Sequence, residues 1–169
     1  MTEILKLLLL VPLISCGQEK SETGPEYPAY VGDIGFNAEM DNKDFELCFE
    51  KHIFQYFNTG NGLEYDGEKS AIEKEFAEKY KSEIIKNETG LIRINFVVSC
   101  KGKTDRFRLI GMDENYNEKI FVKSITEQLM GITKSLKGWK GKKYSEKEID
   151  YYQYLIFKIE NGQLKEILP

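Results

Sequence analysis

Between Leu91 and Ile110 the apolar side chains fall on every second position, and this alternation constrains the chain more than any other feature. Ile92, Ile94, Phe96 and Val98 point one way, with Arg93 and Asn95 the other. Lys101-Gly102-Lys103 then turns the chain into Arg106-Phe107-Arg108-Leu109-Ile110, which alternates again. A period of two belongs to a pleated strand with one buried face, so the spacing predicts a β-hairpin over 91–110. Such a face has to be covered by another layer.

Candidate covers lie on either side. Over 68–82, Ile72, Phe76 and Tyr80 recur every fourth residue, with Ala71 beside them and Glu and Lys elsewhere, the pattern of an amphipathic helix. After the polar turn Asp113–Asn117, a second helix is expected over 118–137. Phe121, Ile125, Leu129, Ile132 and Leu136 form its apolar stripe, and Gly138 is placed as a C′ glycine that stops it. A Lys-rich loop, 139–150, starts at Trp139. The last main strand, 151–159, is apolar on both faces: Tyr152, Tyr154 and Ile156 on one, Tyr151, Leu155, Phe157 and Ile159 on the other. Asn161-Gly162 turns into a short return strand over 163–168.

Upstream the pattern is weaker. Residues 31–43 show no period. With Asp44 as N-cap, positions 45, 48/49, 52/53 and 56 share one helical face, so a helix is expected over 44–57, with a strand pair as the alternative. The order helix, hairpin, helix, strand predicts an α+β fold. It is two-layered, an antiparallel sheet of the hairpin plus the C-terminal strand, with helices packed on one face.

The amino terminus reads as an address. Residues 4–14 are an apolar block with Lys6 near its start and Pro12 inside it. The block is shorter than the roughly 20 residues of a membrane-spanning helix and fits the hydrophobic region of a secretory signal. Leu13-Ile14-Ser15-Cys16 is similar to a lipobox, in which the cysteine thiol is acylated and becomes the first residue of the mature chain. Residues 17–25 carry no apolar side chain and read as a flexible tether. The expected organisation is a signal peptide over 1–15, lipid attachment at Cys16, a tether over 16–30 and one domain over 31–169. That places the chain in the cell envelope, anchored at a membrane and facing the periplasm or the surface. The alternative is a buried N-terminal helix that ends in a cysteine.

In such a compartment Cys48 and Cys100 remain as an even pair, and a disulfide between them is expected. It would close a loop worth roughly 4 kcal/mol in the chain-entropy account. The alternatives are two separate buried thiols, or a C-x₃-H zinc half-site or catalytic dyad of Cys48 with His52, for which no further ligand or orienting group is in view.

Composition narrows the chemistry further. The net charge is −4, with both signs mixed, which argues against nucleic acid as a partner. His52 is the single histidine, so triads and His-rich metal sites lose their usual residue. No nucleophile elbow, zinc-helix motif, phosphate loop or EF-hand is present. The expectation is a protein that is not an enzyme, with no catalytic residues, no metal and no cofactor. Asp113-Glu114 and Glu146/Glu148/Asp150 are read as solubilising and capping carboxylates rather than acid–base pairs.

Leu63-Glu-Tyr65-Asp-Gly67-Glu68-Lys-Ser-Ala71-Ile is similar to an aromatic-Pro-Gly-Gly-x-x-Ala-Leu helix start. Gly90 to Val98 with Gly102-Lys103 is similar to a Gly-x-Val-x-Val-x-Phe-x-Val hairpin with Gly-Lys at its turn. Trp139-Lys140 stands where a Trp-Lys-Pro-Gly would follow. In this order they resemble the C-terminal domain of TonB-type energy transducers in the divergent form common in Bacteroidetes, over about residues 63–160. The chain departs from that pattern at Asp66, where the family has Pro, and after Trp139, where no Pro follows. It also has no long Pro-rich linker and no uncleaved membrane helix. The resemblance implies the fold and a binding mode, pairing of an extended partner segment at a sheet edge, and not energy transduction.

Strand 151–159 is the expected edge, with Tyr152, Tyr154, Ile156 and Trp139 as partner-binding residues and an envelope protein as the candidate partner. The alternatives are that both faces of the strand are covered within the domain, or that 163–168 already occupies that edge. The lysines 134, 137, 140, 142 and 143, with Trp139 and Tyr144, are either a patch for an anionic partner or, as we favour, a solvated loop in which Trp139 closes the core.

Overall fold

The computed structural model describes residues 33–49, 52–59 and 62–168. Cys16, the signal peptide and the tether as far as residue 30 lie outside the described residues. No helix among the described residues is long and apolar enough to cross a membrane.

The alternating segment forms strands β2 (Gly90–Val98) and β3 (Thr104–Met112), paired antiparallel. Ile92, Ile94, Phe96 and Val98 are fully buried on one face, as their spacing requires. That face is covered by α1 (Glu68–Lys79), through Ile72 and Phe76, and by α2 (Lys123–Ser135), through Ile125, Leu129 and Ile132. The last long strand, β6 (Tyr151–Glu160), lies antiparallel to β2 along its whole length and adds Leu155, Phe157 and Ile159 to the same core. Each of these side chains contributes about 1.5–3 kcal/mol by leaving water.

The remaining strands are short. They are β1 (Phe54–Gln55), β7 (Gln163–Leu168) and the small hairpin β4 (Lys142–Tyr144) and β5 (Lys147–Ile149), which forms its own sheet. The described residues are therefore mixed α+β, with two α-helices on one face of an open sheet ordered β1-β6-β2-β3 and β7 also paired to β6.

Several expectations need correction. The sheet is mixed rather than antiparallel throughout, because β1 runs parallel to β6 with Phe54 opposite Tyr151. No helix forms among the described residues of 44–57. That stretch ends in β1 and a single 3₁₀ turn, Tyr56–Thr59. Gly138 is not a C′ cap: α2 ends at Ser135, and Gly138 instead gives room to the Tyr65 ring, whose nearest atom would lie 2.7 Å from an added Cβ. The Lys-rich loop contains the β4–β5 hairpin.

Cys48 and Cys100 are joined in a disulfide with a Cα–Cα distance of 6.1 Å. The bond ties the segment before β1 to the end of β2. On the sheet face away from the helices, Ile34 packs with Val97 and Tyr152, flanked by Phe45, Leu47 and Ile53. Asp41 and Arg108 join the same segment to β3 through two hydrogen bonds of 2.7 and 2.8 Å. Asp150, fully buried, accepts the backbone N–H of Phe49 and of Cys100, so one carboxylate holds both flanks of the disulfide.

Candidate functional site

Strand β6, the expected edge, is internal. β2 occupies one side of it throughout, and the other side is taken by β1 at Tyr151–Tyr152 and by β7 over Ile156–Glu160. Its aromatic side chains are spoken for as well. Tyr152 is buried with Ile34 and Val97, and Tyr154 lies under the Arg93 guanidinium, 4.0 Å from the ring centroid. Ile156 is half-buried opposite Arg93. Trp139 is 5% exposed and packs edge-on to Tyr65 and Phe96, so it is a core residue rather than a contact for a partner.

The lysines around Trp139 do not form one patch. Lys142 is buried and its Nζ donates to the carbonyls of Tyr56 and Gly62, 4.9 Å from the Tyr151 ring centroid. Burial pushes its pKa down, opposed by the Glu64 carboxylate. Lys140 is paired with Asp66 at 3.1 Å, and Lys134 stands over the Phe107 ring.

The outer strand on the hairpin side is β3. Its pairing with β2 shifts register between Asn95 and Val97, where Arg106 adopts φ 57°, a bulge that twists the edge. At its far end Gly111 accepts the backbone N–H of Lys119 at 2.9 Å, and Met112 bridges Glu118. Gly111 is required there, since an added Cβ would lie 2.2 Å from the Lys119 carbonyl oxygen. Backbone groups alternate sides along an antiparallel strand, so Leu109 directs its N–H and C=O outward like Gly111. Among the described residues no backbone group pairs with that side of β3 between Arg106 and Ile110.

Beside this free edge runs a groove of about 650 Å³, bounded by α2 on its other side. Its apolar lining includes Leu109, Ile110, Ile120, Phe121 and Met130. Ile120 is 92% exposed and Ile110 48%, large apolar groups that folding leaves in water. At Gly131 an added Cβ would meet nothing within 4 Å, so the helix wall is hollowed at that point. The rim carries Lys119, Lys123 and Lys134 against Glu118 and Glu127. None of the three lysines is in an ion pair among the described residues; Lys119 Nζ donates to the carbonyls of Asn87 and Thr89 instead. This groove was not among the sites expected from the sequence. Its signals were Gly131 in a helix interior and Ile120 off the buried stripe.

Other clusters are structural. The sulfurs of Cys48 and Cys100 lie with the Asp150 carboxylate inside 4.8 Å, but the sulfurs are bonded to each other and the carboxylate is held by two amides. Without a helix over 44–57, Cys48 and His52 are not set on a shared helical face, and the His52 ring packs edge-on to Phe54. Asp113 accepts the backbone N–H groups of Asn115 and Asn117, and these bonds, led by Asn117, hold its carboxyl below its usual range. It organises a turn. Comparison with protein-family models, with characterised proteins and with solved structures finds no match for this chain.

Proposed function

We propose that the chain is a lipid-anchored, non-enzymatic binding module of the bacterial cell envelope, which holds an extended segment of an envelope protein between β3 and α2. The observation that carries this reading is the juxtaposition, among the described residues, of a strand edge without backbone partners and an apolar groove rimmed by lysines that are in no ion pair. An added strand satisfies the outward N–H and C=O of Leu109, each such bond contributing about 0.5–1.5 kcal/mol. Alternate side chains of that strand point into the groove, where apolar groups meet Ile120, Met130 and the hollow at Gly131. Charge complementarity favours a segment that also carries a carboxylate opposite Lys123 or Lys134. The order helix, hairpin, helix, strand and the motifs over 63–160 support a kinship with the receptor-binding domain of TonB-type transducers. Strand addition on β3 replaces the expected pairing on 151–159. The apolar block before Cys16 and the polar run after it support the anchor, and with it a location at the outer membrane, facing the periplasm or the surface.

The test places a photo-crosslinking side chain at Ile120 in the full chain in its own cells, with a control at Ile84, which is also exposed, at 77%. The expected result is an adduct from Ile120 alone, mapped by mass spectrometry to one extended segment. That segment, synthesised as a peptide, should bind the chain, lose binding on methylation of alternate backbone amides, and fail to bind Gly131→Leu. Equal adducts from both positions, or binding indifferent to backbone methylation, would favour an accessory envelope lipoprotein without a peptide partner.

A further inference from the structure

The sheet face away from the helices carries a second feature, centred on Arg93 and Tyr154, which do not line the groove. Arg93 leaves β2 on that face, with Ile110 and Ile156 as its cross-strand neighbours. One pair further along the same face, Asn95 lies opposite Tyr154. The Arg93 guanidinium sits 4.0 Å from the Tyr154 ring centroid, and the Tyr56 ring meets Tyr154 edge-on with the two hydroxyls 3.4 Å apart.

Arg108, on the same face, shows a fully matched cation, whereas Arg106, over the Phe36 ring, shares with Arg93 a buried Nε that has no partner. The Arg108 guanidinium is matched to the buried Asp41 by two hydrogen bonds and donates to Gly35 as well. Arg93 has no such match. Its Nε is buried without a hydrogen-bond partner, and among the described residues its guanidinium takes part in no ion pair. The aromatic ring below it offsets part of the lost hydration and fixes its position, but a ring face uses none of the in-plane N–H donors. A buried donor with nothing to accept from it is unfavourable by about 1–3 kcal/mol, and folds retain few of them. The polar neighbours of Arg93 along that face, Tyr154 and Asn95, are neutral; the Tyr154 hydroxyl accepts from Tyr56 and keeps its own proton to donate, and among the described residues no carboxylate pairs with Arg93.

We infer that this face is a binding site for an organic carboxylate, held by the fork of Arg93 and by the Tyr154 hydroxyl, with its apolar or ring body over Ile156. A planar fork of parallel N–H groups matches a carboxylate in two bonds. A single guanidinium with neutral neighbours suits a monoanion better than a phosphate. Burial, and then the bond to Tyr154, raise the Tyr56 pKa to about 12, so its hydroxyl stays a donor across the physiological range.

The test is a titration of the ¹⁵N-labelled full chain, followed at the Arg93 Nε–H and Asn95 side-chain amide signals, with ionic strength held constant. Sodium benzoate, sodium glucuronate and sodium phosphate are the probes. Saturable shifts at low-millimolar benzoate or glucuronate are expected, and the tighter of the two names an aromatic acid or a sugar acid as the natural class. Arg93→Gln should abolish the Asn95 response. Tyr154→Phe, which keeps the ring and the fold, should weaken binding at least tenfold, while Gly131→Leu should leave it unchanged. Linear, unsaturable shifts, tighter binding of phosphate than of both carboxylates, or an unchanged response in Tyr154→Phe would overturn the assignment. Because Gly131→Leu separates the two sites, failure here leaves the groove untouched, and failure at the groove leaves this site untouched.

Discussion

Two glycines of the α2 region illustrate how context fixes the meaning of one residue type. Gly131 lies in the helix interior with open space above it, so Gly131→Ala removes the backbone entropy of glycine and strains nothing. It should stabilise the chain by about 1 kcal/mol in urea unfolding. Gly138 faces the Tyr65 ring, and Gly138→Ala should destabilise by about 1–3 kcal/mol through overpacking. Equal effects of the two substitutions would contradict both readings. Asp41 is a third residue with a defined signature. Its bonds to Arg108 outweigh burial and lower its pKa below the ordinary 3.8. The folded-state value is thus below the unfolded one, so the stability it contributes is complete above the unfolded value. It is lost as pH falls through the lowered one. Asp41→Asn should destabilise the chain by about 1.5–3 kcal/mol at pH 7 and flatten the decline of stability below pH ~4, as urea midpoints measured from pH 7 down to pH 2 would show.

At the scale of elements, periodicity was informative wherever local and long-range preferences agreed. The period of two over 91–110 and the four-residue spacing of Ile72 and Phe76, or of Ile125 and Leu129, became β2, β3, α1 and α2 because one stripe of each met one core. Residues 44–57 failed for a physical reason. Their aromatic side chains fit a helical face, but three non-local constraints hold them otherwise: the Cys48–Cys100 bond, the Asp150 carboxylate on the Phe49 N–H, and parallel pairing of Phe54 with Tyr151. A one-dimensional pattern carries none of these. Replacing both Cys48 and Cys100 by Ser should therefore act on this segment first. The cost is up to about 4 kcal/mol in the chain-entropy account. Native-state hydrogen exchange should show Phe49, Phe54 and the 33–49 amides losing protection while Ile94 and Phe157 keep theirs. Uniform loss across the sheet would mean that the segment is not a separable unit.

For the whole molecule, the candidate groove depends on strand order, and strand order is the least local property of the chain. β3 is an outer strand only because β6, some fifty residues later, takes the other side of β2, while β7, the return strand expected after Asn161-Gly162, closes part of the other side of β6. The proposed anchor is the reverse case, a reading of Cys16 and its flanks that does not depend on the fold. The two disulfide cysteines lie elsewhere, and Cys16 precedes all described residues. Cys16→Ser should consequently leave the thermal unfolding midpoint within about 2 °C, below what a 1 kcal/mol change produces in a domain of this size. The same substitution should move the chain from the membrane fraction to the soluble one and remove the acyl mass from its amino terminus. In the proposed anchor, several acyl chains at about 0.8 kcal/mol per buried CH₂ hold the chain at the bilayer. The Ile120 adduct should fall with the local concentration of an envelope partner, whereas benzoate binding at Arg93, a property of the domain alone, should persist. A Cys16→Ser chain that stays with the membrane would show that something other than Cys16 holds it there, and the anchor would have to be abandoned while the groove stood.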